Sequence, residues 1–144
     1  MTPTTINALL IAASTASGCN HFGIGTRYVA NWETDVKAFP FCWIYNIGFN
    51  TKIIDSAVQV NTYNISGQIL NKSSIDEDPI VIQNVILALM PVYQKFIDFM
   101  AKNHDVVMNN IRAVQVYHVY DDNLVGVEFS FNIEIPENIT YSCP

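Results

Sequence analysis

Three histidines, three cysteines and two short acidic clusters are the residues of this chain whose types could do chemistry. His21, His104 and His118 stand apart from one another and from any cysteine at metal-ligand spacing, so each reads as a packed or solvated imidazole rather than a ligand or a base. Cys19, Cys42 and Cys143 form no CxxC pair. Cys42 sits in an apolar run with no cation beside it to lower its pKa, and reads as an inert buried thiol. The odd count fits three reduced thiols in a reducing compartment. Asp76-Glu77-Asp78 brings carboxylates together as a metal site would, but Asp78-Pro79 is also the order in which helices begin, and negative charge is favoured there. Asp121-Asp122-Asn123 is turn chemistry without the calcium-loop pattern. Gly23-Ile24-Gly25 lacks the third glycine and following helix of a phosphate loop. Asn and Asp form no catalytic pair with any Ser in a recognisable order. The expectation is a protein that is not an enzyme, with no catalytic, cofactor-binding or metal residues.

The totals say which partners to expect. The chain has 144 residues, 50% of them hydrophobic and 14% charged, with a net charge of −6. That is enough apolar mass for one soluble domain with a real core. Lys and Arg are scattered singly, so the clustered cations that grip nucleic acid are missing. An acidic surface would let DNA pass rather than hold it. The low charge also fits a surface partly covered by other chains.

The elements that would position these residues follow from periodicity. Residues 5–17 read as a first helix, with Ile6, Leu9, Leu10 and Ala13 on one face, Thr4 or Thr5 as cap and Gly18 as stop. Ala16-Ser17-Gly18-Cys19 offers a competing reading, a lipoprotein cleavage box. Against it, Ala16 stands where a leucine is usual and the leader has no Lys or Arg. Residues 18–38 read as a long glycine-bearing loop, with a short strand near 26–30. Its aromatics Phe22, Tyr28 and Trp32 are candidate anchors for a partner. Phe39-Pro40 opens an apolar strand through Tyr45, and residues 48–56 read as a connection. A second strand covers about 57–70, with a phase slip near Thr62 that suggests a bulge. Pro79 to Asn103 reads as a helix with a stripe at Ile82, Val85, Ile86, Leu89, Tyr93, Phe96 and Met100. Val81, Leu87, Val92, Ile97 and Phe99 make it apolar almost all round, and Pro91 is expected to kink or split it. The strand from Ile111 to Tyr120 turns into a last one. There Val125, Val127, Phe129, Phe131, Ile133 and Ile135 alternate with Gly126, Glu128, Ser130, Asn132 and Glu134. The core would span 39–135 and a tail 136–144. The order α-β-β-α-β-β predicts an α+β domain, its antiparallel sheet covered by helices on one face.

That order, with Phe39-Pro40 entering the first strand and Leu124-Val125-Gly126-Val127 following the last turn, resembles the tail terminator (tail completion) and neck proteins of long-tailed phages. The resemblance covers nearly the whole chain by order of elements. The sequence departs from it in the long 19–38 loop, in Pro91 and in the cysteine-bearing tail. The resemblance implies a homo-oligomeric ring, hexameric in form. It would cap the tail tube and meet connector proteins, with DNA as passing cargo, no membrane and no cofactor. Such a protein is made in the bacterial host cytoplasm and ends in the virion. Function would then lie in loops that touch neighbours and in charge lining the hole, for which Glu128 and Glu134 are the candidates. The alternative is an exported lipoprotein or small binding module anchored through Cys19.

Overall fold

The computed structural model describes residues 3–25, 39–55, 58–73, 78–103, 106–119 and 124–138. Helix α1 spans Pro3–Ser17 and buries Ile6, Leu9, Leu10 and Ala13, the face expected from its spacing. It ends as the sequence predicts. Gly18 takes φ +97°, its N–H bonds the Thr15 carbonyl, and the Cys19 N–H bonds the Ser14 carbonyl. This paired closure satisfies the last helical carbonyls and needs a left-handed residue that only glycine adopts without strain.

Within the expected loop 18–38 lies strand β1, His21–Ile24. It pairs in parallel with β2, Phe41–Ile53, matching His21 to Phe41 and Phe22 to Cys42. A four-residue strand containing glycine is too short for alternation to mark it, and its partner is distant in sequence. Gly23 is needed there because a Cβ would collide with the Trp43 ring. The strand expected near 26–30 lies outside the described residues.

The remaining strands are β3, Val58–Lys72; β4, Val107–Val119; and β5, Leu124–Asn138. The sheet runs β1-β2-β3-β5-β4, antiparallel throughout except for β1 on β2. The domain is therefore α+β with a mixed sheet, where an antiparallel one was expected. Two strand ends, one strand start and the bulge also move; β4 begins at Val107, four residues ahead of the expected Ile111, and ends at Val119. β2 continues to Ile53 through residues read as a connection, because its polar half pairs with β3, Asn50 opposite Thr62. The register shift falls between Ile44 and Asn46, not at Thr62; β3 itself is regular there, and its apolar residues change face. β5 continues past Pro136 to Asn138. Pro136 pairs with Val60 beyond the last β4 partner, Glu134, where among the described residues β5 has a strand on one side only and proline is tolerated.

The long apolar stretch forms two helices, α2 (Pro79–Ala88) and α3 (Met90–Ala101). Asp78 caps the first, its carboxylate accepting from the Ile80 N–H at 2.8 Å, so this carboxylate serves the helix start. Pro91 splits the stretch at Leu89, because proline suits a first turn and breaks an interior one. Ile82, Ile86, Leu89, Tyr93, Phe96 and Met100 are buried, in alternate steps of four and three residues. The 23 residues Pro79–Ala101 are long and apolar enough to cross a membrane. In this fold, that buried row lies against the sheet. Phe96 meets the rings of Phe129 at 5.2 Å and Phe131 at 6.3 Å. α1 packs on α3, so all three helices cover the sheet face that carries Tyr63, Ile65, Ile69, Val127, Phe129, Phe131 and Ile133.

The opposite face is less uniformly wet than expected. At one end Phe41, Trp43, Leu70 and Leu124 are wholly buried, flanked by Phe39, Tyr45 and Val116. Trp43 Nε1 donates to the Gly25 carbonyl at 3.0 Å, which ties the end of β1 to β2.

Candidate interaction surface

The helix-free face of the sheet carries the polar side chains of the core strands. Tyr45, displaced by the irregularity in β2, donates its hydroxyl to Glu128 at 2.7 Å, and Gln68 Nε2 lies 3.4 Å from the same oxygen. Ser66, Ser130, Arg112 and Val114 complete an open groove of about 260 Å³ around them. Further along β5, Glu134 accepts from Asn109 Nδ2 at 3.0 Å. Glu128 and Glu134 thus share one face, both half-buried, about 20 Å apart at the rise of an extended strand. The groove brings together a carboxylate, a guanidinium and hydroxyls. These can bind a polar group but include no thiol or imidazole to attack one.

Among the described residues the sheet has two open edges. Among the described residues β4 pairs with β5 alone, and its irregularity at Asn109–Arg112 includes Asn110 at φ 52°. It exposes Val107, Ile111, Val114 and Tyr117. At the other end β1 covers β2 only from Phe41 to Ile44, and among the described residues the rest of that edge has no strand beside it. Ile47, Phe49 and Ile53 are exposed there, as is Ile54 just beyond. The helical layer adds Ile11, Ile80, Val81, Leu87 and Phe99. Exposed apolar edges are normally blunted by charge or covered, yet within these two stretches the charges are Arg112 on β4 and Lys52 on β2.

Of the expected loop anchors, Phe22 stands in β1, half-buried against the main core. Tyr28 and Trp32 lie outside the described residues, as do the Asp121-Asp122-Asn123 turn, His104 and Cys143. His21 is in β1, its ring 5.3 Å from that of Phe41. Among the described residues no group of three or more His, Cys, Asp or Glu side chains is placed to hold a metal ion.

One contact went unread in the sequence. The closure at Gly18 turns Cys19 back over the last turn of α1, where its thiol meets that of Cys42. Ser17 Oγ lies 3.4 Å from Cys19 Sγ and 2.7 Å from the Ser14 carbonyl, and its single proton can serve either. The hydrogen bond from Cys42 draws the Cys19 pKa down to about 7; burial opposes this, and the Ser17 and Ser14 hydroxyls assist it. The same hydrogen bond, then burial and the charge on Cys19, push Cys42 well above the ordinary thiol range, with Ser14 partly offsetting them. Cys42 is not the isolated thiol its apolar neighbours implied. Cys19 packs against the main core, which includes Cys42, where the turn at Gly18 leads into β1, a strand too short for its sequence to announce. No protein-family model matches the chain, and none of the curated proteins matches it.

Proposed function

We propose that this protein is a structural subunit that assembles with copies of itself into a ring, of the kind found at the neck or tail end of a phage particle. The carrying observation is the pair of apolar strand edges, at opposite ends of one sheet, that no strand covers among the described residues. A contact between two different surfaces of one chain makes a ring when its rotation closes and an open filament when it does not, and the resemblance to phage neck and tail-end proteins favours the closed form. The outer faces of α2 and α3, apolar where they leave the core, add a second surface for neighbouring tail, tube or connector proteins. Glu128 and Glu134 lie on the uncovered face and become lining groups if that face turns inward; the net charge of −6 suits a passage for DNA.

The anchored-lipoprotein alternative requires cleavage before Cys19. That would remove Ile6, Leu9, Leu10 and Ala13 from the core, which supports the ring reading over it. Native mass measurement across a concentration series tests the proposal. The expected result is a discrete oligomer, seen by electron microscopy as a ring with a hole wide enough for duplex DNA. A monomer at every concentration, alone and with the particle's tube or connector proteins, would overturn it.

A further inference from the structure

We propose that the groove on the helix-free face binds a small zwitterion of the α-amino acid kind, with Arg112 taking its carboxylate and Glu128 its ammonium group. Strand register builds the site. Ser66 pairs with Ser130 and Ser130 with Arg112, so the three form one row across β3, β5 and β4. Gln68 and Glu128 form the next row, two residues along each strand. The rows are therefore about 7 Å apart. Tyr45 reaches the second row because the irregularity between Ile44 and Asn46 takes it out of the β2 register.

The two rows differ in what their side chains already hold. Glu128 is fixed in place: the Tyr45 hydroxyl donates to its Oε1 at 2.7 Å, and Nε2 of the buried Gln68 lies 3.4 Å from the same oxygen. In the other row, the Ser66 and Ser130 hydroxyls and the Arg112 guanidinium line the groove with no hydrogen-bond or ion-pair partner among the described residues. A guanidinium offers a planar fork of donors that matches a carboxylate, and the two hydroxyls can donate to the same anion. A plain anion would be repelled by Glu128 one row away, and a plain cation by Arg112; a ligand carrying both charges satisfies both. In an α-amino acid one carbon separates the ammonium from the carboxylate. With a hydrogen bond of about 2.8 Å at each end the pair spans roughly 8 Å, close to the row separation. Val114, opposite Glu128 on β4 and exposed, borders the groove and gives a short apolar ligand side chain a surface to rest on. This inference does not rest on the ring reading.

Alanine is the probe, titrated into the full-length chain and followed by backbone amide NMR. The expected result is a saturable shift centred on Arg112, Glu128 and Ser130, with a Kd of about 1 mM. N-acetylalanine lacks the ammonium and alaninamide lacks the carboxylate, and each should bind about tenfold more weakly or worse. Arg112→Gln and Glu128→Gln should each weaken alanine binding by about tenfold or more. Arg112 is exposed, so its variant should keep the wild-type unfolding temperature and carries the test even if Glu128→Gln does not fold. Lys102→Gln removes a cation from the helical side of the molecule and should bind alanine as the wild type does. No saturable shift with alanine, equal affinity for either singly charged derivative, wild-type binding by folded Arg112→Gln, or a groove that responds to glucose in place of alanine would each overturn the proposal.

Discussion

At Cys19 a small piece of helix chemistry becomes reactivity. A left-handed glycine turns the chain, the turned chain lays a thiol against a second thiol, and the second thiol donates a hydrogen bond that favours charge on the first. Its pKa of about 7 predicts the pH dependence of alkylation. The thiolate is the nucleophile, so the rate should rise with pH and reach half its plateau near pH 7; a free cysteine would do so near pH 8.5. At pH 6 it should be about tenfold below the plateau. Iodoacetamide kinetics followed peptide by peptide would measure this, with Cys42 protected throughout. Cys42→Ala removes the donor, so the Cys19 midpoint should climb toward the free value; a wild-type midpoint already there would refute the coupling. None of this was legible from the cysteines alone. Their spacing carries no signature, and β1, which follows Cys19 and pairs Phe22 with Cys42, has too few residues to announce itself.

At the scale of the element, more could be read, because long segments carry their own period. The stripe Ile82, Ile86, Leu89, Tyr93, Phe96 and Met100 was visible as a stripe, Pro91 as its interruption, and Asp78 as its start. The alternation of β5 gave the dry face that receives it. What failed was the polar arm of β2, where Gly48, Asn50 and Thr51 read as a connection; only pairing with β3 makes it a strand. Phe96 is where the two legible patterns meet, wedged against Phe129 and Phe131 with no exposed surface. Phe96→Ala should cost about 4 kcal/mol, from lost burial plus an unfilled cavity. Denaturant unfolding would measure it, and a loss below about 1 kcal/mol would mean that α3 is not seated on β5 as described.

At the scale of the whole molecule, the question is what the two bare edges meet. Their positions at opposite ends of the sheet distinguish two modes of assembly. If β4 of one copy pairs with the β2 arm of the next, each copy uses both edges and the chain of contacts continues until it closes. If β4 pairs with β4, assembly stops at two and β2 is idle. Val114 and Ile53 are exposed by 59% and 63%, so a lysine at either should leave the monomer folded while charging one edge. In the first mode Val114→Lys and Ile53→Lys each abolish assembly alone, with thermal unfolding shifted by no more than about 2 °C, as befits exposed positions. Mixed together, they should recover a dimer and nothing larger, because each variant keeps the edge the other has lost. Native mass spectrometry of the two proteins and their mixture reads this directly. Full-size assembly by Ile53→Lys alone, or no contact in the mixture, would rule out the edge-to-edge ring.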